Sequence, residues 1–591
     1  MNMLIDCSEL QPMRISTSGH RHASASIACA HLVVALLCAP LALAQQAPGA
    51  GQIQRETTQP AESSRVSPDD KATPKRESQL PECLDHPEGE KANESFILQR
   101  VNFKYRKAFS DEELDRVVRP WTGKSATWRE INELCKTITR YYRDHDFLIA
   151  QAVYPQQSPK DGVIDIVLIE GILEKIEVNK ADEAPVSQAL IERMLYAALP
   201  RGVPITQRGL ERGILSVQDL PGVTVQSFLE AGRETGTTNL IVDVGAAQRR
   251  RDASADIDNY GSRFTGEYRA GFSGRLKSPF RLGDTLDLRL LASSSGGLVY
   301  GRLAYDVPVA HRGLRFGLGL TRLAYDLGEE FASLDAKGDA QIVDANLTYP
   351  IIRARRRNFV AKLTFEHKDL ADRFGAVESR SDKRVRNFGA GAGYEARDEL
   401  LGGGYLNLGL TLYLGNLDIE TAEELAADQG PGGRRTDGNF TKVAYLASRL
   451  QAAGEKSTLY FGLTGQWANK NLDSSEKMAL GGPRAIRAYA PSEALVDEGQ
   501  ILNLEYRYSL TQDRSLTLSG FFDAGHGRVN AKRVGNDNNT RNLRGYGLEV
   551  FWTPRQRLAV RASLAFRDTE KGRSDQHDRN PRLYAHVVYQ F

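Results

Sequence analysis

The end of the chain alternates strictly between apolar and polar positions. In the last ten residues, Leu583, Val587 and Tyr589 share one parity, whereas His586 and Gln590 share the other. Successive side chains of a β-strand point to opposite faces, so this segment is predicted to be a strand with one apolar and one polar face. A soluble sheet can alternate in the same way. A chain that repeats the pattern over about three hundred residues, without a long helical segment, favours a transmembrane barrel.

Sixteen segments with this alternation can be placed in residues 252–591. In one of them, Leu286 and Leu288 alternate with Asp287 and Arg289. An even number of antiparallel strands closes a barrel, and closure removes the unpaired strand edges that lipid does not tolerate. The sequence therefore predicts an all-β transmembrane barrel of sixteen antiparallel strands. The alternative, a soluble β-sandwich, does not easily accommodate so many consecutive strands. The segments start near residues 253, 264, 283, 297, 313, 338, 358, 384, 404, 438, 456, 500, 514, 543, 556 and 580.

Two similar modules precede the barrel, at residues 96–172 and 173–246. Each is predicted to run strand, helix, helix, strand, strand, and Thr127 with Glu130 forms a capping box at the start of one helix. This order recurs after about seventy residues, and an internal repeat is stronger evidence than any single element. We expect two α+β domains. The predicted elements are strands Phe96–Tyr105, Phe147–Val153 and Val163–Ile169 with helices 110–118 and 127–143 in the first module, and strands Leu173–Val178, Val223–Leu229 and Asn239–Val244 with helices Val186–Ala197 and Thr206–Gln218 in the second.

Residues 1–44 are predicted to be a signal peptide. The apolar stretch Ala23–Ala44 follows basic residues and ends in small ones, as an export signal does. Translation from Met13 is an alternative start. Residues 45–95 are rich in Pro, Gln, Ser, Glu and Gly without sustained apolar periodicity, which predicts a flexible linker. A short plug helix near the start of this linker is an open alternative, although its prolines restrict one.

The composition agrees with an envelope-exposed β-rich protein, with 53 Gly, 22 Tyr and 21 Phe beside five Met and five Cys. A formal net charge of +2 gives no electrostatic reason to expect nucleic-acid binding. The sequence contains no HExxH, GxSxG or phosphate-loop motif, so we expect neither an enzyme nor a cofactor. No metal site is expected either, because Cys83 and Cys135 lack the further Cys or His ligands that zinc requires.

Cys83 and Cys135 are the two cysteines that follow the predicted signal peptide. An even pair of cysteines in an oxidising compartment favours a disulfide. The alternative is a pair of thiols without a bridge, with Cys135 buried on a helix.

Three short phrases in the modules carry a family resemblance. They are Ala152-Val-Tyr-Pro-Gln-Gln157, Val167-Leu-Ile-Glu-Gly171 and Leu220-Pro-Gly-Val-Thr-Val225. The modules resemble POTRA domains, and the phrases, in this order, are similar to those in the outer-membrane transporters of two-partner secretion. The resemblance covers residues 83–591 and implies two periplasmic POTRA domains followed by a barrel in the outer membrane of a Gram-negative bacterium.

The sixth outer loop, residues 468–499, carries the first motif of that family. Ile486, Arg487, Ala488 and Tyr489 match the family's loop-tip pattern of Val-Arg-Gly followed by Tyr or Phe. The resemblance implies that this loop enters the barrel lumen. Ala488 departs from the glycine of the pattern, and an alanine makes a positive φ at this residue unfavourable.

The thirteenth strand carries the second motif. Phe521, Asp523 and Gly525 match the family pattern Phe-x-Asp-x-Gly, and Asp523 points into the lumen if Phe522 faces lipid. The resemblance implies that Asp523 contacts Arg487. A directional Arg–carboxylate fork fixes the loop in one register, although desolvation offsets much of its attraction. The alternative makes Arg487 a solvated loop charge and pairs Asp523 with another lumen arginine.

The resemblance also implies a function. The POTRA domains would capture an unfolded secreted partner protein in the periplasm by strand addition at a sheet edge, and the barrel would conduct it outward. The partner is expected to be an adhesin, a haemolysin or a contact-dependent toxin, and the transporter a monomer surrounded by outer-membrane lipid. One alternative is an outer-membrane protein assembly insertase, against which the room for only two modules argues. Another is a passive porin with accessory periplasmic domains.

Overall fold

A computed structural model of the protein describes residues 47–58, 94–155, 157–535, 538–555, 557–573 and 579–591. The predicted signal peptide and Cys83 lie outside these residues, so the disulfide between Cys83 and Cys135 stays a prediction. No helix in this part of the chain is both long and apolar enough to cross a membrane. The first element is the nine-residue helix α1 (Ala50–Thr58), at the start of the segment predicted to be a linker.

The first module packs two helices on a three-stranded sheet. In chain order its elements are β1 (Ser95–Leu98), β2 (Arg100–Lys104), α2 (Asp111–Val118), β3 (Lys124–Thr127), α3 (Trp128–Asp144), β4 (Gln151–Val153) and β5 (Val163–Ile169). The sheet has the order β2-β5-β4, in which β2 runs parallel and β4 antiparallel to β5. Strands β1 and β3 form a separate two-stranded ribbon.

This module differs from the prediction at three places, the first of which is strand β3, which was not predicted between the two helices. The predicted strand Phe96–Tyr105 is broken at Gln99, where the chain passes from the ribbon into the sheet and the N–H of Gln99 donates to the carbonyl of Gly162 (2.8 Å). The strand predicted from Phe147 begins only at β4, because the N–H of Ala150 closes a turn on the carbonyl of Phe147 (3.2 Å). The two helices agree with the prediction.

Capping boxes start both helices of the first module. The hydroxyl of Ser110 accepts the N–H of Glu113, and the carboxylate of Glu113 accepts the N–H of Ser110 (2.8 Å). Thr127 and Glu130 repeat this arrangement at α3, as the sequence predicted. The backbone N–H of Ser110 lowers the pKa of Glu113, and that of Thr127 lowers the pKa of Glu130. The buried core beneath the helices includes Leu114, Ile131, Leu134, Ile138, Ile164 and Ile166.

The second module has the predicted order of elements. They are β6 (Ile172–Lys180), α4 (Gln188–Ala198), α5 (Gln207–Gln218), β7 (Val223–Ala231) and β8 (Thr237–Ala246). Ser187 and Thr206 cap the two helices with their hydroxyl groups. The sheet order is β6-β8-β7, which leaves β6 and β7 at its edges.

Sixteen antiparallel strands close into a barrel, as predicted. The last barrel strand pairs with the first along residues 586–590 and 254–258. The barrel strands are β9 (Arg251–Asp258), β10 (Arg269–Lys277), β11 (Thr285–Ser293), β12 (Leu298–Pro308), β13 (Arg315–Asp326), β14 (Ala336–Arg353), β15 (Arg357–Phe374), β16 (Ser379–Asp398), β17 (Gly404–Ile419), β18 (Gly438–Ala452), β19 (Ser457–Ala468), β22 (Glu498–Ser509), β23 (Leu516–Arg528), β24 (Thr540–Arg555), β25 (Leu558–Arg567) and β26 (Arg582–Gln590), with the short strands β20 (Met478–Ala479) and β21 (Leu495–Val496) between β19 and β22.

The described residues of the connections between barrel strands contain four short helices. One is the α-helix α6 (Ala422–Gln429), and the others are 3₁₀ helices at Glu329–Leu334, Gly375–Val377 and Leu400–Gly402.

The predicted parity of the barrel strands is confirmed. Leu583 and Tyr589 on the predicted outer face are 57% and 43% exposed, whereas Tyr584 on the opposite face is 3% exposed. On β23, Phe522 points outward at 37% exposure, and Asp523 is completely buried on the lumen side. The outer face is therefore apolar and the lumen is lined by polar side chains, as a lipid-embedded barrel requires.

Candidate functional site

The connection between β19 and β22 folds into the barrel lumen. Its tip is buried, with Ile486 and Arg487 at 0% exposure and Tyr489 at 2%. The N–H of Ile486 donates to the carbonyl of Leu480 (3.0 Å), and the N–H of Tyr489 donates to that of Ile486 (3.2 Å). Apolar loop residues pack against apolar positions of the wall. This shared cluster includes Leu480, Ile486 and Val496 of the loop segment and Ile501, Phe521 and Leu543 of the wall.

Arg487 and Asp523 form a bidentate ion pair. Nε of Arg487 donates to Oδ2 of Asp523 (2.8 Å), and Nη2 donates to Oδ1 (2.8 Å). The carboxylate also accepts the backbone N–H of Arg487 (3.1 Å) and the side-chain amide of Asn503 (2.7 Å). The same amide donates to the carbonyl of Ala485 (3.0 Å). The structure therefore brings together the two residues that the family motifs paired, and directional bonds hold the loop in one register.

Two carboxylates that the sequence analysis did not single out complete the environment of Arg487. Nη1 lies 2.9 Å from Glu505 and 3.2 Å from Glu549. Arg507 in turn lies 2.7 Å from Glu505, and Arg561 lies 3.6 Å from Glu549. With the carboxylate of the bidentate pair, three guanidinium groups face three carboxylates, so the formal charges cancel. This balance offsets part of the cost of removing the charges from water.

The aromatic and glycine positions of the wall motif have packing roles. The guanidinium carbon of Arg487 lies 3.5 Å from the ring centroid of Phe521, a cation–π contact. Gly525 leaves space for the loop, because a Cβ at this residue would lie 2.5 Å from Cδ1 of Ile486. The three motif residues of β23 thus contact the same loop tip.

Ala488 is accommodated by the wall. It is absent from the residues with a positive φ, so the loop tip does not need the glycine that the family pattern has here. A Cβ at Gly545 of β24 would overlap with the methyl group of Ala488. The glycine opposite the loop therefore provides the room that the alanine on the loop occupies.

Moving the methyl group from Ala488 to Gly545 tests the packing of the loop tip against β24. We expect Gly545→Ala to loosen the loop, because overpacking a filled contact costs about 1–3 kcal/mol, and we expect additional Ala488→Gly to restore it. The rate of protease cleavage within the loop of the detergent-solubilised protein measures the effect. Gly520→Ala is the matched control, since no atom lies within 4 Å of a Cβ there. Equal cleavage rates in all variants would contradict the expected overlap.

Tyr489 ties the loop tip to the end of the barrel. Its hydroxyl lies 2.8 Å from the hydroxyl of Thr569 and donates to the carbonyl of Glu570 (3.0 Å). The hydroxyl of Tyr584 on β26 donates to the carbonyl of Tyr489 (2.7 Å). All four residues of the tip motif are therefore fixed by the wall or by a neighbouring connection.

Residues 473–477, called the loop base below, form a second set of wall contacts. The carboxylate of Glu476 lies 2.9 Å from Lys368 on β15 and 2.6 Å from Lys442 on β18. It also accepts the side-chain amide of Asn387 on β16 (2.9 Å). Glu476 and both lysines are nearly completely buried. Sequence reasoning missed this cluster. The alternation along a strand places a lysine on the lumen side, but it does not show whether a loop lies opposite that lysine.

Two further ion pairs extend the loop base. Asp473 lies 3.3 Å from Lys383 on β16, and Lys477 lies 3.0 Å from Asp497 at the other end of the loop. Asp497, which is completely buried, also accepts the N–H of Ala531 in the next outer connection (2.9 Å). The loop is therefore held at its tip and at its base by separate groups of charges.

Helix α1 lies inside the barrel against the loop base. The N–H of Ala50 donates to Asp372 of β15 (2.7 Å), which places a carboxylate at the helix N-terminus. Nε of Arg55 donates to the carbonyl of Ser475 (2.6 Å). Gly51 permits this approach, because a Cβ there would lie 2.6 Å from the backbone nitrogen of Ser475. The plug helix that the sequence analysis left open thus fills the lumen beside the loop.

One group of side chains has the spacing of a metal site. Asp256, Asp258 and His586 offer ligand atoms within 4.8 Å of one another on the lumen side of β9 and β26. Arg289 donates to Asp256 (2.9 Å), and Arg269 donates to Asp258 (2.8 Å). These carboxylates already have cationic partners, so the arrangement is an ion-pair network across the barrel closure.

A closed sixteen-stranded barrel, with its lumen filled by an anchored loop and a helix and with two α+β modules before it, defines a transmembrane barrel of the transporter type. The chain belongs to the haemolysin secretion/activation protein family ShlB/FhaC/HecB, whose profile matches residues 236–551. The ShlB-type POTRA domain profile matches residues 96–171.

Individual relatives agree with this assignment. The heme/hemopexin transporter protein HuxB of Haemophilus influenzae is 28% identical over 419 residues, which cover 71% of this chain and 73% of HuxB. The outer membrane transporter CdiB of Escherichia coli O6:K15:H31 is 21% identical over 426 residues, which cover 70% and 69% of the two chains. The solved structure of CdiB from Escherichia coli has the same fold, with a TM-score of 0.69 at 18% identity, over 87% of this chain and 93% of that one.

Membership of this family assigns the chain to the two-partner secretion transporters. These are barrel proteins of the outer membrane that transport a secreted partner protein.

Proposed function

We propose that this protein exports one partner polypeptide in an unfolded state, with its POTRA modules in the periplasm and its barrel, as a monomer, conducting the chain outward. The observation that supports this proposal is that a loop and a helix, rather than wall residues, occupy the lumen. The loop and helix α1 fill it through non-covalent contacts, which include the bonds of Arg487 to Asp523 and of Arg55 to Ser475. Neither segment is part of the wall, so both can move without opening the barrel.

An open sheet edge in the second module supports capture by strand addition. Strand β7 lies at the edge of its sheet, and β8 is its only strand partner in the described part of the chain. Phe228 on β7 is 45% exposed. An extended segment of the partner can add backbone hydrogen bonds along this edge, while side chains such as Phe228 contribute selectivity.

A cavity beneath the second module supports a path from the modules into the barrel. It has a volume of about 400 Å³ and lies between α4 and α5 and the lumen side of the barrel mouth. Arg353 of β14 holds the module there through a bidentate ion pair with Asp219 (2.7 Å for both bonds). Arg212 of α5 adds a hydrogen bond to the hydroxyl of Tyr349 (3.1 Å). A chain bound at the module is thereby delivered next to the pore.

Transport then requires a cleared lumen. Displacement of the loop, of helix α1 or of both opens the path, and a partner segment shifts the equilibrium toward the open state to the extent that it binds that state better. Folding of the exported chain outside the cell gives the movement its direction. The partner is an adhesin, a haemolysin or a contact-dependent toxin. Relatives named as haemolysin transporters and as a heme/hemopexin transporter support this range.

Deletion of residues 96–244 tests the proposal. We expect one protein to disappear from the culture medium and to accumulate in the periplasm, since a barrel without capture modules loses its client. Comparison of medium and periplasmic proteins from cells with the full-length and the shortened chain, by mass spectrometry, measures the effect. Barrel insertion is checked in the same cells by heat-dependent electrophoretic mobility.

The same experiment separates the alternatives. A passive porin would keep its solute flux and leave the medium unchanged after the deletion. An assembly insertase would instead lower the amounts of many outer-membrane proteins. Either result would overturn the transport proposal.

A further inference from the structure

The outer face of strands β13 to β17 changes from apolar to polar at one position on each strand. The last apolar side chains on this face are between 42% and 53% exposed, and they are Leu320, Val343, Phe365, Phe388 and Leu414. The next outward-facing residue on each strand, farther from the modules, is polar. These five residues, called the boundary row below, are Arg322, Gln341, His367, Arg386 and Asn416.

The boundary row lies toward the end of the barrel that points away from the modules. Arg353, near the opposite end of the same strand as Gln341, binds Asp219 of the second module. With the modules in the periplasm, the row therefore faces the outer leaflet of the membrane. An arginine that faces lipid is costly at the middle of the bilayer and nearly without cost at its boundary. The row thus marks the height at which the hydrocarbon ends.

The members of the boundary row are neighbours across the sheet. Arg322 lies opposite Gln341, and Arg386 lies opposite both His367 and Asn416. The side chains of Arg322 and Arg386 are exposed, and neither takes part in an ion pair between residues that the structure describes. The row therefore combines two guanidinium groups with an imidazole and two amides, and it contains no carboxylate.

The carboxylates of the same face lie farther outward and have cationic partners. Asp369 lies 2.9 Å from Arg384 and 3.2 Å from His367, and Asp418 also acts on Arg384. The other pairs are Asp326 with Lys337 (3.6 Å), Asp339 with Arg373 (3.6 Å), Asp382 with Arg380 (2.5 Å) and Glu420 with Arg384 (2.7 Å). This outer layer contains charges of both signs, so unpaired positive charge is confined to the boundary row beside the hydrocarbon.

The rest of the barrel surface differs at this end. Near the barrel closure, Leu583 and Tyr268 face outward at 57% and 62% exposure. The outward-facing Arg544 of β24 has a carboxylate partner, Asp568 (3.5 Å). Strand β16, in contrast, continues from Arg386 to its end at Ser379, about 23 Å along the strand. A polar wall of this height stands beside sugars rather than beside the short headgroup of a phospholipid.

We propose that the boundary row binds lipopolysaccharide, the phosphorylated glycolipid of the outer leaflet. Arg322 and Arg386 contact its phosphates, and the amides and the imidazole contact sugar hydroxyl groups. The planar donors of arginine match phosphate oxygens. The two arginines lie three strands apart, at least about 14 Å, so each reaches a separate phosphate. This inference goes beyond export and rests only on the proposed orientation of the barrel.

Lipid binding to the full-length protein in detergent tests the site, with native mass spectrometry as the measurement. The probes are diphosphoryl lipid A, monophosphoryl lipid A and phosphatidylglycerol. We expect diphosphoryl lipid A to bind about fivefold more tightly than either of the others, because an arginine near an anionic lipid contributes about this factor. Arg322→Ala and Arg386→Ala should each weaken diphosphoryl lipid A about fivefold, and the double variant about 25-fold, since distant sites add.

Arg544→Ala is the matched control. It removes another outward-facing arginine from the same end of the barrel, and it should bind diphosphoryl lipid A as the unchanged protein does. Unchanged binding by the double variant, or equal weakening in the control, would overturn the site. Equally tight binding of phosphatidylglycerol would overturn the assignment to a glycolipid.

Barrel stability provides an independent readout. Heat-dependent electrophoretic mobility gives the temperature at which the barrel unfolds. Without lipid, the double variant should unfold at the same temperature as the unchanged protein, because neither arginine has an ion-pair partner to lose among the described residues. Diphosphoryl lipid A should raise this temperature for the unchanged protein and not for the double variant, since only a bound ligand stabilises the folded state. A lower temperature for the lipid-free double variant would assign the arginines to barrel stability and count against the site.

The lipid site and the export proposal fail in different ways. Unchanged lipid binding by the double variant, together with secretion that is lost on deletion of residues 96–244, would remove the site and leave export standing. Secretion that survives that deletion would overturn export and leave lipid binding in detergent unaffected.

Discussion

Arg487→Ala is expected to reduce export of the partner protein at least tenfold while the barrel remains inserted in the outer membrane. The substitution leaves Asp523, Glu505 and Glu549 buried with only two arginines near them. Breaking a buried ion pair by removing one partner costs about 3–5 kcal/mol, because the remaining charge is desolvated without compensation. The loop tip then no longer stays in its register against β23. Barrel closure does not depend on the loop, since the strands pair through their own backbones.

Two further variants serve as comparisons for Arg487→Ala. Arg487→Lys keeps the positive charge but loses the bidentate geometry, so it should export at an intermediate level. Arg557→Ala removes an exposed arginine from a turn and should export normally. The measurements are the amount of partner in the medium and the heat-dependent electrophoretic mobility of the barrel. Normal export by Arg487→Ala would show that the anchored loop is unnecessary for transport.

Arg55→Glu is expected to open the pore, with conductance in planar bilayers rising several-fold above that of the unchanged protein. The new carboxylate would lose the hydrogen bond to the carbonyl of Ser475 and would face the negative charges of Glu476 and Asp473. Lys368 and Lys442 also lie near this position, but both are already paired with Glu476. Repulsion between like charges in this half-buried place favours the state in which the helix has left. The bond from Ala50 to Asp372 does not compensate, because it holds only the N-terminus of the helix.

The controls for the helix separate charge from shape. Arg55→Lys retains the positive charge and should keep most of the closed state. Deletion of residues 48–58 removes the whole helix and should give at least the conductance of Arg55→Glu. If that deletion left the conductance at the level of the unchanged protein, the loop would close the pore alone and α1 would have no part in gating.

The barrel could be predicted because its signal is local. Successive side chains of a strand point to opposite faces, so the alternation along the strand shows that Leu583 faces lipid and Tyr584 faces the lumen. The modules could be predicted for a similar reason, since capping boxes such as that of Thr127 and Glu130 span one helical turn. The prediction of one continuous first strand was wrong, because the chain changes its strand partner at Gln99. The alternation of apolar and polar residues does not reveal such a change.

The pairing of Arg487 with Asp523 was available through family motifs, although 36 residues separate the two in the chain. The packing of Ala488 against Gly545 could not be predicted from the sequence, because a glycine within a strand can be present for many different reasons. Glu505 and Glu549 were equally hidden. Strand parity alone would place both side chains on the lumen face, and nothing nearby in the chain indicates which lumen-facing carboxylates meet the loop.

Residue order alone therefore established most element types and the inward and outward faces, because each depends on neighbours along the chain. The motif that anchors the loop tip was implied by the resemblance to the family. Three-dimensional packing settled where helix α1 lies and which charges hold the loop base. Ala50 and Asp372 are 322 residues apart, and Lys368 and Glu476 are 108 apart. Lumen-facing charges look alike in a sequence, and their partners follow from which strands stand opposite one another after the barrel has closed.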